Sequence, residues 1–155
     1  MGAPSVVALA KDAATAQVRG LADELLDVSH RIWEHPELCF EERFAHDLLT
    51  DVLDGHGFEV ERRACGLDTA FVATPANGPT AGSDGPTIAV LCEYDALPEI
   101  GHACGHNIIA VTGLGASLAL GKLGANLPGR VRYLGTPAEE SGGGKELMAQ
   151  KGAFD

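Results

Sequence analysis

Five side chains able to bind a metal ion or move a proton fall within fourteen residues: Glu93, Asp95, His102, Cys104 and His106. Cys104 and His106 stand at i, i+2 about Gly105, and a glycine there allows an unusual φ that turns both toward one ion. Thiolate with imidazole is a borderline-soft donor pair that suits Zn²⁺ and disfavours Mg²⁺ or Ca²⁺. A pair of this kind is weak evidence alone, and a second cluster strengthens it: Pro137-Ala138-Glu139-Glu140-Ser141-Gly142-Gly143-Gly144. Of two adjacent glutamates, one can bind metal while the other acts as a base. The plain alternative is that Glu139 and Glu140 are solvated acids opening a helix near Lys145–Gln150, where the helix dipole favours them. For Cys104 the rival chemistry is a thiolate nucleophile with a histidine base. It ranks below metal binding, because nearby acids raise a thiol pKa unless a cation is present.

Such residues need elements that bring them together. The run Ile88–Cys92 has no polar alternation and predicts a strand buried on both faces, and Val131–Leu134 predicts another. Two strand ends at one edge of a parallel sheet would then carry the two clusters. Asn107 is placed to cap a helix over Ile108–Leu123, whose glycines and alanines suit close packing on the sheet. Upstream, the first fifteen residues read as a frayed start. Val18, Leu21, Leu25, Val28 and Ile32 then recur at helical spacing until Pro36, with His35 as a surface or capping residue. A second helix runs from Glu41 to Gly55 and Gly57, followed by strands at Phe58–Glu61 and Thr69–Thr74 and a loop over Pro75–Pro86. With a last helix over Lys145–Gln150, this order predicts one three-layer α/β/α domain over residues 1–155, without internal repeats.

Net charge is −11, from 22 acidic and 11 basic residues, which argues against nucleic-acid or anionic-membrane surfaces as partners. The 45% hydrophobic content suits a globular fold, and no apolar stretch approaches the ~18 residues of a membrane span. With no export signal, a cytoplasmic location is the expectation. Cys39, Cys65, Cys92 and Cys104 lack C-x-x-C spacing and are expected to be free thiols, Cys92 serving as a small hydrophobe in its strand.

E-Y-D-A-L-P-E-I-G-H-A-C-G-H-N, followed by G-T-P-A-E-E-S-G-G-G and preceded by His35-Pro36-Glu37-Leu38 and Phe40-Glu41-Glu42, resembles the M20 family of zinc metallopeptidases, in its amidohydrolase and aminoacylase-like branch. The resemblance implies a zinc-peptidase-like α/β/α sheet and a two-metal hydrolase using Zn²⁺, with Mn²⁺ or Co²⁺ as substitutes. It makes Cys104, His106 and Glu140 metal ligands, Glu139 the general base on the attacking water, and Asp95 the acid beside the metals that orients a ligand. Glu93 and Asn107 depart from the pattern: many relatives have His or Asp at the first and Asp at the second, and His102 is at most a supporting residue. The implied substrate is a small amide: an N-acyl amino acid, a dipeptide or an aminobenzoyl-glutamate-like compound. Family members are longer, so the expectation is the N-terminal portion of a catalytic domain without its lid. No histidine follows His106, which keeps open a truncated, inactive fragment acting at most as an interaction module and self-associating through uncovered surface.

Overall fold

Ser5 turns its hydroxyl back to accept the Ala8 N–H at 3.2 Å and so starts helix α1 (Val6–Gly20) in the computed structural model, which describes residues 5–78, 85–124 and 129–155. The expected frayed start is therefore helical from Val6 on, and the single helix expected over Val18–Ile32 is divided. At Leu21 the backbone leaves helical geometry (φ −98, ψ 5), and α2 (Ala22–Glu34) begins. Gly20 before it, the poorest helix former besides proline, is the local cause. Periodicity missed α1 because none of its residues is buried, so no apolar stripe was needed.

Helix α2 buries Val28 and Ile32 and ends directly before the His35-Pro36 pair. His35 occupies the C-terminal cap position, its Nδ1–H donating to the Arg31 carbonyl at 2.9 Å while its ring stacks on Phe44. Helix α3 (Arg43–Gly55) turns Ala45, Leu48, Leu49 and Leu53 inward, and Gly57 at φ +79 lets the chain reverse into the sheet.

Among the described residues four strands follow, β1 (Phe58–Arg62), β2 (Phe71–Pro75), β3 (Thr87–Cys92) and β4 (Arg130–Gly135), side by side in the order β1-β2-β4-β3. β3 and β4 are parallel, joined by helix α4 (His106–Leu123), whereas β1–β2 and β2–β4 are antiparallel. The sheet is thus mixed, with its parallel pair at one edge. The expectation that β3 is buried on both faces is corrected: Thr87, Ile88 and Ala89 are exposed, Ile88 at 54%, and only Cys92 is fully buried. Among the described strands β3 has a single neighbour, so its apolar run is only partly covered.

The main core lies between the sheet and helices α2, α3 and α4, gathering Ile32, Leu49, Leu53, Phe71, Tyr94, Leu114 and Tyr133. A smaller core on the opposite face joins Ala70, Val72 and Leu134 to Met148 of α5 (Gly144–Gln150). Helices on both faces give the three layers. Helix α4 comes close to the sheet as its composition predicts: a Cβ at Gly113 would stand 3.0 Å from the Tyr133 ring and 3.1 Å from the Leu91 carbonyl. Its cap is not Asn107, however. Gly105, in the left-handed region at φ +86, occupies that position, and the buried Asn107 donates its amide to Ser29 Oγ at 3.1 Å. Residues 79–84 of the expected Pro75–Pro86 loop lie outside the described residues.

Gly135 pairs across the sheet with Phe71, whose ring lies where a Cβ would stand. Gly135→Ala is therefore expected to cost about 1–3 kcal/mol through overpacking. Gly20→Ala, with nothing within 4 Å of its added Cβ, is expected to gain about 0.4–1 kcal/mol. Urea unfolding of both variants reads the two signs, and an unshifted midpoint for Gly135→Ala would contradict the packing described.

Candidate metal centre

Strands β3 and β4 end at the same level, because Cys92 pairs with Gly135 in their parallel register. Thr136 fastens the two exits together, its N–H and its hydroxyl each donating to the Cys92 carbonyl at 2.8 Å. The segments beginning at Glu93 and at Pro137 therefore leave the sheet side by side, as strand-end chemistry requires.

Asp95 has no exposed surface and links the two segments to α4. Its Oδ1 accepts from His106 Nδ1–H at 3.0 Å, its carbonyl accepts from the same nitrogen at 2.8 Å, and its Oδ2 accepts the Glu140 N–H at 3.0 Å. Burial works to raise the Asp95 carboxyl. The hydrogen bonds from His106 and from the backbone of Glu140 and Glu139 outweigh it and hold the group below its ordinary value. In return the Asp95 hydrogen bond raises His106 above the usual imidazole value, against burial, which lowers it. With Nδ1 committed as a donor, Nε2 is the nitrogen left for a ligand.

Nε2 faces negative charge on three sides: Glu93 Oε2, Glu139 Oε2 and Glu140 Oε1 each lie 3.7 Å away. One donor atom each from Cys104, His106 and Glu140 lies within 4.8 Å of the others. Sulfur, imidazole nitrogen and carboxylate oxygen in one cluster form a donor set that suits Zn²⁺, and the convergence of three carboxylates is relieved only by Lys145 among the described cations. Lys145 Nζ pairs with Glu93 and stands 3.9 Å from Glu139. Burial first, and then Glu140, push the Cys104 thiol up, and a cation bound beside it would favour the thiolate.

The structure thus brings together Asp95, Cys104, His106, Glu139 and Glu140, all singled out from sequence. Glu93, whose place the sequence left open, also faces the cluster. His102 does not join it: it is buried at 7% exposure, neither ring nitrogen has a hydrogen-bond partner, and burial lowers its pKa. Lys145 was missed, since a lone lysine after a glycine run reads as an ordinary helix-surface charge. Glu37 contributes no donor to the cluster; its carboxylate accepts the Phe44 and Ala45 N–H groups at 2.9 and 3.0 Å and starts α3. Cys92 is fully buried and its thiol pushed up to about 12, as its reading as a small hydrophobe requires, and all four cysteines are free. Among the described residues no helix is long and apolar enough to cross a membrane.

A histidine whose folded-state pKa is raised adds stability below its unfolded pKa and loses it as pH rises through the folded value. In the metal-free chain Asp95→Asn is therefore expected to lower the His106 pKa and to remove that acid-side stability. The asparagine keeps one acceptor but turns an amide donor on either His106 or the Glu140 N–H. NMR titration of the imidazole measures the shift, and an unchanged His106 pKa would contradict the pairing.

Residues 89–155 match the model of peptidase family M20/M25/M40. Over 162 aligned residues the chain is 44% identical to the Xaa-Arg dipeptidase of Mus musculus, covering 95% of this chain and 36% of that protein. It is 35% identical to one of the subunits of the p-aminobenzoyl-glutamate hydrolase of Escherichia coli, covering 83% of this chain and 30% of that one. Its fold superposes with a TM-score of 0.76 on a crystal structure of a dinuclear metal-binding M20 peptidase from Bacillus subtilis, at 26% identity, over 88% of this chain and 41% of the other. The chain spans about a third of the length of the curated relatives it matches. The strand-end cluster, the sheet that carries it and these likenesses converge: residues 89–155 carry the M20/M25/M40 peptidase model, and the chain as a whole is similar to the N-terminal part of M20 peptidases.

Proposed function

We propose that this chain carries part of the centre of a metal-dependent hydrolase of small amides, with Cys104, His106 and Glu140 as ligands and Glu139 as general base. The observation that carries the reading is the surroundings of His106: Nδ1 is held by buried Asp95, while Nε2 stands among three carboxylates in a cluster that also includes a thiol. Bound there, a Zn²⁺ ion supplies Lewis-acid polarisation of the scissile carbonyl and lowers the proton affinity of the attacking water. The chain's own residues do the rest. Glu139, about one-third exposed at the mouth of the cluster, accepts a proton from the water and delivers it to the departing amine. Amide and water thus become acid and amine with protons balanced. Lys145, between Glu93 and Glu139, lowers the cost of holding so many acids together.

The names of the relatives, a dipeptidase and an aminobenzoyl-glutamate hydrolase, favour a dipeptide or an N-acyl amino acid as substrate. A relative named for N-acetyl-L-cysteine deacetylation, 28% identical over 97% of this chain, extends the range to small N-acyl groups. All three involve cleavage of a C–N amide bond, the reaction that a polarised carbonyl and a carboxylate base would serve.

Metal analysis after dialysis against Zn²⁺ tests the ligand set: Cys104→Ser and Glu140→Gln are each expected to lower bound zinc, while Glu139→Gln leaves it unchanged. Equal zinc in Cys104→Ser and wild type would remove the thiol from the site. In whatever form hydrolyses an amide, alone or within a longer protein, Glu139→Gln is expected to lower kcat about 10²- to 10⁴-fold, because an amide keeps the shape and accepts no proton. Turnover within a factor of about three of wild type would assign the base elsewhere.

A further inference from the structure

Among the described residues, Glu42 is the one acid with a completely buried side chain outside the metal cluster. Burying a carboxylate is costly unless its oxygens are satisfied, so its partners indicate its role. Although Glu42 precedes the first residue of α3, its side chain makes no capping hydrogen bond, and that task belongs to Glu37. Its Oε1 instead accepts the Ala138 N–H at 2.8 Å, ninety-six residues along the chain, and its Oε2 accepts the Thr69 hydroxyl at 2.8 Å. Ala138 directly precedes Glu139, is itself buried, and holds the left-handed backbone conformation at φ +57, which an alanine adopts only when its surroundings impose it. The Thr69 carbonyl in turn accepts the Tyr94 hydroxyl at 2.5 Å, and Tyr94 is the neighbour of Asp95. One carboxylate therefore holds the segment after β4 directly, at the residue before Glu139, and reaches the segment after β3 through Thr69, whose carbonyl holds the neighbour of Asp95.

We propose that Glu42 is a positioning residue: its buried carboxylate latches the turn bearing Glu139 and Glu140 to the start of α3 and to Thr69. The proposal rests on the reading of Glu140 as a ligand. Reach, rather than charge, is what the latch requires. Glu42→Asp withdraws the carboxylate by one methylene and keeps the charge, and Glu42→Gln keeps the reach and an acceptor for Ala138 while losing the charge.

Co²⁺ titration of the full 155-residue chain reads the effect through the absorption of the cobalt–thiolate bond at Cys104. Groups that orient metal ligands are typically worth 10- to 100-fold in affinity, so Glu42→Asp is expected to bind Co²⁺ at least about 10-fold more weakly and Glu42→Gln within about 3-fold of wild type. Leu49→Ala, a core truncation with no exposed surface at the wild-type side chain, controls for general loosening and is expected to leave affinity unchanged. Wild-type affinity in Glu42→Asp overturns the proposal, as does equal weakening in Glu42→Gln or in Leu49→Ala. Hydrogen exchange gives a reading independent of metal and of any variant's folding: the wild-type Ala138 amide is expected to be strongly protected, and exchange at the rate of an unbonded amide overturns the latch. A wild-type chain that takes up no cobalt through Cys104 would sink the metal reading alone, and Ala138 protection would then decide the latch.

Discussion

The buried Asp95 carboxylate accepts hydrogen bonds from two elements that no local interaction joins, the first residue of α4 and the turn after β4, and the geometry of the candidate centre follows from it. A charge with no exposed surface is stable only when its lone pairs are filled, and the fold fills them with His106 Nδ1–H and the Glu140 N–H. Satisfying Asp95 therefore fixes the tautomer of the histidine and the position of the glutamate turn at once. Any arrangement that moved either group away would leave a buried anion without its partners.

What makes that possible is the parallel pairing of β3 with β4. Their common end point places residues 93 and 136 next to each other although forty-three positions separate them in sequence, and Thr136 closes the gap by bonding to the Cys92 carbonyl. Glycines serve the same end where the chain must come close. Gly135 leaves room for the Phe71 ring, and Gly144 lies against the Pro137 carbonyl, so the turn bearing Glu139 and Glu140 folds back over itself. A side chain at either place would displace the acids.

Electrostatics set the remaining constraint. Four acids, Glu93, Asp95, Glu139 and Glu140, lie around one imidazole, with Lys145 as the nearby cation. In a partly buried site like charges repel strongly, and a divalent ion is the economical way to reconcile them. The raised thiol of Cys104 belongs to the same balance, since burial and Glu140 both oppose its ionisation.

Much of this was legible in the residues themselves. The spacing of Cys104 and His106 about a glycine, the adjacent glutamates and the apolar runs before each cluster were enough to place these candidate residues after strand ends, because residue type and strand pattern are local properties. The helix expected from Glu41 to Gly55 was likewise readable from periodicity, and the strand expected over Val131–Leu134 from its β-branched and aromatic residues; they are α3 and β4. Other features depended on contacts distant in sequence. The exposure of β3 is decided by how many neighbours cover it, the cap of α4 by the left-handed turn at Gly105, and α1 by a hydroxyl cap on a helix that buries nothing. Lys145 and Glu42 carry no local signature, since a lysine in a first helical turn and a glutamate before a helix are ordinary. Their roles exist only because the sheet brings Glu93 to one and Ala138 to the other. Residue type set what chemistry was available, and tertiary structure decided which of those groups share one low-dielectric space, because hydrogen bonds and charge interactions act over a few ångströms whatever the separation along the chain.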